Sequence, residues 1–290
     1  MNWPSEEPLG VLSNCRRSQW YLLRSYGRDT VVLLALLSVT WLLRGPPSAF
    51  DFHPWHLALS MLAIPFGWWV SSVMHNTGHG NFPRGVNRVL GEFAGAWLGY
   101  GLTNFTLIHS LHHAYADHEH DPVSPRGHGF VGFLLSPMGI ATKRARRWLR
   151  ERHEGKPAYE WTARGEWLFF QVNLALRVAW WLVLFGPSVF VCFYVVSICS
   201  NVTMLAHINF ACHRDHPDGS VEVVDLDEGL YYRLANAVTR GGYFHRSHHA
   251  SPSVLDPRTR RLETPMFTIE ARSTPALDPR TRLDGVWGSR

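Results

Sequence analysis

Cysteine is scarce in this chain, and the few cysteines exclude both a disulfide framework and a zinc ribbon. No two of the four form a Cys-x-x-Cys pair. Two of them, Cys192 and Cys199, lie within an apolar run, where a thiol behaves as a small hydrophobic side chain. The zinc-hydrolase signature His-Glu-x-x-His is also missing, because Asn76 follows His75. A metalloprotease is therefore not expected.

Acidic residues are the minority charge, and no nucleic-acid motif accompanies the basic ones. The 28 Lys and Arg residues outnumber the 23 Asp and Glu residues, which gives a formal net charge of +5. Without an aromatic-interleaved basic groove, we expect no nucleic-acid partner. Cytoplasmic loops that follow the positive-inside rule explain the charge better. The densest basic cluster comprises Lys143, Arg144, Arg146, Arg147, Arg150 and Arg152.

Long apolar runs are what the chain has in abundance. Apolar residues make up 46% of it while the mean hydropathy is near zero, so very apolar stretches alternate with very polar ones. A membrane-spanning helix needs about 20 predominantly apolar residues. Four runs reach or approach this length: 30–43, which residues 21–26 could extend, and 54–74, 167–185 and 188–206.

These runs predict an all-α integral membrane protein with about four transmembrane helices in two hairpins. The glycine-rich segment 91–108 predicts a membrane-embedded or re-entrant helix pair, and 129–141 predicts an interfacial helix. With the N-terminus inside, every histidine-rich segment lies at the cytoplasmic end of a span. We therefore expect a multi-pass protein whose helical cap, carrying the histidines, faces the cytoplasm.

The apolar runs also divide the chain into three parts. Residues 1–29 read as a polar, basic cytoplasmic lead-in, without the short apolar core of a cleavable signal peptide. Residues 30–254 form the predicted membrane domain. Residues 255–290 are rich in Pro and Arg and contain the sequence Leu-Asp-Pro-Arg-Thr-Arg twice, at 255–260 and 277–282. We expect a flexible or loosely packed tail there.

Three histidine clusters have the spacing of metal ligands on a helix. Residues three or four apart share one helical face. Eight imidazoles exceed the four ligands of one zinc ion, so the pattern predicts two metal ions. Isolated histidines such as His53, His56, His128 and His153 are expected to be ordinary polar groups. The clustered histidines are His75, His79, His109, His112, His113, His245, His248 and His249.

Further candidates flank these clusters. Asn209 and His213 are four residues apart, directly after the last apolar run, so His213 is a candidate ninth ligand and Asn209 could hold a metal-bound water. His207 is the alternative to His213. Carboxylates can orient ligands by accepting imidazole N–H bonds, and the candidates are Asp117, Glu119 and Asp121. His118 and His120 have either a role beside the metal or an ordinary surface role.

The order His-x-x-x-His, His-x-x-His-His, His-x-x-His-His between two hydrophobic hairpins resembles the membrane fatty acid desaturase/hydroxylase superfamily. The segment 75–82, His-Asn-Thr-Gly-His-Gly-Asn-Phe, is similar to the first histidine box of acyl-lipid desaturases. The segment 209–213 resembles the Asn-x-x-x-His that supplies a further ligand in acyl-coenzyme A desaturases and alkane hydroxylases. One departure is Asn76, where many desaturases have Asp or Glu.

The resemblance implies a non-haem di-iron centre, with two iron ions held by the clustered histidines. It implies dioxygen as co-substrate and a lipid or long-chain hydrocarbon as substrate. No haem or iron–sulfur motif is recognisable in the sequence. Electrons would then come from a separate carrier, such as a ferredoxin, a rubredoxin or a cytochrome b5-type protein with its reductase.

Three functions are compatible with these residues. The leading hypothesis is an acyl-chain desaturase that introduces a double bond. The first alternative is a hydroxylase or ketolase acting on a fatty acyl, alkane or carotenoid-like chain. The second is a non-enzymatic, histidine-rich metal-binding membrane protein. For either enzyme the substrate channel should be apolar, and aromatic candidates for its lining are Trp68, Trp69, Trp97, Tyr100 and Phe105.

Overall fold

Helices account for most of the chain in the computed structural model, which describes residues 9–135 and 137–270. Within these residues four helices are long and apolar enough to cross a membrane. Each contains nearly all of one predicted apolar run, which confirms the mostly helical architecture with about four spans. These helices are Tyr21–Arg44, Trp55–Gly78, Tyr159–Phe185 and Pro187–Cys212.

Shorter helices and three strands complete the described chain. The last long helix is continuous but has a π-helical segment, Phe190–Val195, between α9 and α10. A 3₁₀ turn spans Pro257–Arg260. In chain order the elements are α1 (Val11–Arg17), α2 (Tyr21–Arg44), α3 (Trp55–Gly78), α4 (Arg84–Leu98), α5 (Leu102–Tyr115), α6 (Phe130–Leu135), α7 (Pro137–His153), α8 (Tyr159–Phe185), α9 (Pro187–Val189), α10 (Val196–Cys212), β1 (His213–Asp215), β2 (Val221–Val223), α11 (Leu230–Thr239), α12 (His245–Ala250) and β3 (Met266–Ile269).

The N-terminal region is more ordered than the predicted polar lead-in. Helix α2 begins at residue 21, so the predicted boundary between residues 29 and 30 falls inside it. The polar first half of α2 is helical because its side chains find partners in the bundle: the hydroxyl of Ser25 pairs with that of Thr103, and Tyr26 donates to Asn104. Helix α1 packs its buried Val11 against the core formed by α5 and α7.

The segment 91–108 forms the expected helix pair, α4 and α5, joined by a tight turn. Gly99 and Gly101 both have positive φ, a conformation that glycine adopts without steric cost. Gly95 lies against this turn, and a Cβ there would be 2.5 Å from the backbone nitrogen of Leu102. The glycines therefore allow α5 to fold back closely on α4.

The segment predicted as one interfacial helix, 129–141, is divided between α6 and α7. Helix α7 carries the basic cluster, and part of that charge is neutralised locally. Arg147 forms ion pairs with Glu119 and Glu151. Arg144 donates instead to the backbone oxygen of Asp121, 2.7 Å away, which fixes α7 beside the loop that follows α5.

The four long helices pair across the two hairpins. Helix α2 packs on α8, where the hydroxyl of Thr30 donates to the Asn173 carboxamide at 2.7 Å. Helix α3 packs on α10, and a side chain at Gly67 would overlap the carbonyl oxygen of Ser197. The predicted turn between the last two long helices is present at Gly186, which has φ 76°. Close α3–α10 contact brings the ends of these two helices to the same region.

A small antiparallel sheet, with strand order β1-β2-β3, lies beyond the helices. The segment from residue 255, predicted to be a flexible or loosely packed tail, contains the 3₁₀ turn Pro257–Arg260 and strand β3, which pairs with β2. The strands are only three or four residues long, so the sequence did not indicate them. The second copy of the repeat, 277–282, lies outside the described residues.

One buried ion pair joins α2 and α8 to the turn between α4 and α5. Arg177 and Asp29 are both buried, with Nη2 and Oδ2 3.6 Å apart. Arg177 also points its guanidinium at the carbonyl oxygen of Gly99, at 3.4 Å. Arg177 was the one charged residue within the apolar run 167–185, and it faces the bundle interior. A buried charge with no partner is far costlier than a paired one.

Replacing Asp29 by Ala should therefore destabilise the fold, by about 3 kcal/mol or more, because it leaves the guanidinium buried without its counter-charge. The measurement is thermal unfolding of the purified protein in detergent. The double variant Asp29→Ala/Arg177→Met should recover most of the lost stability. If the single variant unfolds at the wild-type temperature, the pair has no structural role.

Candidate metal centre

All nine histidines predicted as ligands come together in two adjacent groups. In each group the ligand atoms lie within 4.8 Å of one another, close enough to hold a metal ion. The five-histidine group, called group A, is half-buried except for one member, and the four-histidine group, group B, is fully buried. Group A consists of His75, His79, His109, His113 and His248; group B consists of His112, His213, His245 and His249.

Helical geometry explains how each His-x-x-His-His box contributes to both groups. Residues at i and i+4 project in nearly the same direction, whereas i+3 is rotated away from i+4 by about 100°. In α5, His109 and His113 therefore enter group A and His112 enters group B. In α12 the assignment is reversed, because His248 belongs to group A while His245 and His249 belong to group B. The two boxes thus hold the groups side by side.

Burial keeps the imidazoles of α12 in the form that binds metal. It lowers the pKa of His245, His248 and His249 well below the usual value, and the neighbouring imidazoles lower it further. A neutral imidazole offers a nitrogen lone pair, which is the metal-binding form. The α12 histidines are therefore ready to act as ligands at neutral pH.

The ring nitrogens converge in a way that suits a cation. The Nε2 atoms of His213 and His245 are 3.0 Å apart, and those of His79 and His109 are 2.7 Å apart. Among the described residues, the buried Nε2 of His112 has no hydrogen-bond partner. Converging lone pairs and an orphaned buried nitrogen are costly without a shared partner, and a metal ion in each group would satisfy them together.

Asp121 fixes the orientation of His112. The Nδ1–H of His112 donates to the Asp121 carboxylate at 3.0 Å, and both side chains are buried. The backbone N–H groups of Asp117 and Val123 donate to the same carboxylate. With its Nδ1 occupied, His112 directs Nε2 into group B. The predicted role of Asp121 agrees with this geometry.

Asp117 orients His213 in the same way, although the two residues are 96 positions apart in the chain. Its Oδ2 is 2.6 Å from the Nδ1 of His213 and also accepts a hydrogen bond from the Thr268 hydroxyl. Burial opposes ionisation of this carboxyl, but His213 and Thr268 outweigh it and hold the pKa of Asp117 at about 2. Asp117 has φ 63°, a left-handed backbone conformation that is uncommon for residues other than glycine. No pattern in the sequence indicated that Thr268, which lies on β3, would contact Asp117.

The other flanking candidates lie outside both groups. His207 faces Tyr243, whose hydroxyl is 2.7 Å from its Nδ1, so His213 and not His207 completes group B. The Asn209 amide donates to the carbonyl of Leu205 in its own helix. Glu119 lies at the surface, where it forms an ion pair with Arg147. The isolated histidines and the two that follow the second box also lie outside the groups: His53, His56, His118, His120, His128 and His153.

Asn76, the departure from the familiar first box, is a buried structural residue. Its amide donates to the carbonyl of Ser72, and its oxygen accepts from Asn81, which also contacts the Pro252 carbonyl. This network ties the end of α3 to the chain just after α12. It therefore holds the first and third histidine boxes together.

A cavity of about 160 Å³ adjoins both groups. Its wall includes His75 and His109 from group A, and His112 and His245 from group B. Most of the remaining wall is apolar. Of the five aromatic residues expected to line a channel, only Tyr100 and Phe105 do so; Trp97 packs in the bundle core and donates to Ser197.

Replacing His213 by Ala should lower the bound metal to about half, because group B would keep only three ligands. His207→Ala is the matched control, since that imidazole lies nearby but outside the groups, and it should leave the metal content unchanged. Elemental analysis of the two purified variants tests this. The reverse order of metal loss would assign the ligand to His207.

Replacing Asp117 by Asn should weaken metal binding by about 10- to 100-fold, because an amide holds the His213 tautomer less firmly than a carboxylate. Glu119→Gln makes the same chemical change two residues away, at the surface, and should have no effect. Metal retention during titration with a chelator measures both. Equal losses in the two variants would show that the Asp117–His213 hydrogen bond is unimportant.

Comparison with known proteins agrees with this site. The fatty acid desaturase family model matches residues 52–274, a range that includes all nine histidines and most of the chain. No curated protein and no solved structure matched the chain significantly. The four long apolar helices, the two histidine groups and the family match together support a membrane protein with a metal centre. The chain belongs to the fatty acid desaturase family.

Proposed function

We propose that this protein is a membrane-bound, dioxygen-dependent di-iron oxidoreductase that introduces a double bond into the hydrocarbon chain of a lipid. The observation that carries the proposal is the apolar cavity walled by imidazoles of both histidine groups. A hydrocarbon chain in this cavity would lie directly beside the proposed metal sites. Membership of the desaturase family supports the same class of chemistry.

Iron is the metal that best suits both the ligands and the reaction. Imidazole nitrogen binds iron, zinc, copper and nickel, but zinc undergoes no redox change. Bound iron would supply the electron transfer that reduction of dioxygen requires. We propose one iron ion in each group, with the nine histidines as ligands. The Asp117 and Asp121 carboxylates would hold His213 and His112 in the required tautomer and orientation.

The walls of the cavity would position the substrate and exclude water. Phe105, Ile108 and Met204 present apolar surface next to the histidines. Which methylene lies nearest the metal sites would depend on how these side chains hold the chain, since reactivity falls steeply with small misplacements. The same placement would govern the balance between desaturation and hydroxylation.

We propose that the electrons come from a separate ferredoxin, rubredoxin or cytochrome b5-type protein with its reductase. Within the described residues, the groups able to hold a metal consist of histidine alone, and the cysteines belong to neither. These groups have no resemblance to a cysteine-ligated iron–sulfur cluster.

We further propose a multi-pass topology in which the histidine groups face the cytoplasm. The basic helix α7 lies at the same end of the bundle as the histidines, because Arg144 donates to the backbone of the residue that orients His112. Clusters of Lys and Arg next to membrane spans are retained on the cytoplasmic side. The same residues could contact anionic lipid head groups.

The decisive experiment compares the lipids of cells that express this chain with those of cells that express His112→Ala. We expect lipids with a new double bond only in the former, because His112 would be an iron ligand. Membrane insertion should be equal in both, since the spans do not depend on this side chain. New hydroxyl or keto lipids instead would overturn desaturation in favour of hydroxylation or ketolation.

The metal content tests the oxidoreductase proposal independently. The purified protein should contain about two iron ions per chain and consume dioxygen when reduced. A protein that binds only zinc and consumes no dioxygen on reduction would be a non-enzymatic metal-binding protein, and the proposed function would then be wrong.

A further inference from the structure

The end of the cavity away from the histidines is lined by polar side chains. Asn104 lies five residues before His109 in α5, which places it roughly 7 Å along the helix from that ligand. Tyr100, in the turn before α5, lies farther still. Asn201, from α10, lines the same cavity. Polar groups are unexpected at this depth if the site takes a plain hydrocarbon.

Two of these side chains have no hydrogen-bond partner of acceptable geometry within the described part of the chain. Asn201 is completely buried, and both its Oδ1 and its Nδ2 are unpaired. The hydroxyl of Tyr100 is shielded and unpaired as well. The Asn201 carboxamide lies next to the Tyr100 hydroxyl, so a single oxygen atom of a ligand can contact both side chains. Asn104 differs, because its oxygen accepts from Tyr26.

Buried polar groups are normally paired, and those that are not often belong to a binding site. An apolar residue at either position would avoid the cost of burying an unpaired polar atom. A carboxamide that can both donate and accept, next to a phenolic hydroxyl, matches an oxygen that is itself a donor or an acceptor. No residue lining the cavity, among those described, is Asp, Glu, Lys or Arg, so the matching group is uncharged.

We propose that the substrate carries an uncharged hydroxyl or carbonyl oxygen that binds Asn201 and Tyr100, several carbon atoms from the carbon that is oxidised. The proposal deepens the function proposed above and rests on the cavity being the substrate site. The protein is therefore selective for an oxygen-bearing chain over a plain one. A site built to pair with a substrate oxygen discriminates strongly against the analogue that lacks it.

The test uses two probes of equal chain length, hexadecan-1-ol and hexadecane, which differ only in the hydroxyl group. Their binding to the full-length protein in detergent is measured by displacement of a fluorescent fatty acid. We expect the hydroxylated probe to bind about tenfold more tightly or better, as one or two net hydrogen bonds predict. Equal affinities would overturn the proposal.

Single substitutions show which side chains cause the preference for the hydroxylated probe. Asn201→Leu keeps the branched shape of the side chain but removes both polar atoms, so the preference for the hydroxylated probe should disappear. Tyr100→Phe should reduce it. Leu205→Met is the matched control, because it changes an apolar wall residue of the same cavity and should leave the preference intact. A preference that survives in Asn201→Leu would place the oxygen elsewhere and overturn the proposal.

Thermal unfolding without added lipid separates a binding role from a structural one. Because Asn201 has no partner, Asn201→Leu should unfold at the wild-type temperature or above. A lower unfolding temperature for both Asn201→Leu and Tyr100→Phe would show that a buried water or another residue satisfies these atoms, and would overturn the proposal. Neither measurement requires turnover, so the absence of oxidised product would count against the proposed function alone.

Discussion

The convergence of nine imidazoles in two adjoining groups is the constraint on which the rest of this structure depends. Buried ring nitrogens about 3 Å apart can satisfy one another only in pairs, whereas a metal ion in each group would satisfy all the lone pairs together. The fold tolerates this because α5 and α12 each direct imidazoles into both groups. Carboxylates behind His112 and His213 prevent the rings from turning away.

Close packing of the long helices brings these ligands together. Helices α3 and α10 approach so nearly that residue 67 must be glycine-sized, and one carries His75 near its end while the other leads into His213. Asn76 and Asn81 then connect α3 to the backbone after α12. The first and third boxes therefore depend on contacts made by residues that are not themselves ligand candidates.

The polar interior of the bundle supports the cavity. Arg177 is buried with Asp29 and contacts the turn between α4 and α5, and this turn carries Tyr100. A buried ion pair contributes little net stability, but it restricts which arrangements of the helices are acceptable. In this protein it fixes the end of the cavity where Tyr100 and Asn201 lie. The metal end and the polar end of the cavity are thus held by separate sets of contacts.

The sequence by itself determined the four long helices and the histidine boxes, because apolar run length and i, i+3, i+4 spacing are local properties. It also indicated the α4–α5 pair and singled out His213 and Asp121. Only the tertiary structure decided how the boxes divide into two groups, because the relative orientation of the helices determines which imidazoles lie together. It also decided that His207 contacts Tyr243, that β3 pairs with β2, and that Thr268 donates to Asp117. These contacts join residues far apart in the chain, and no local pattern encodes them.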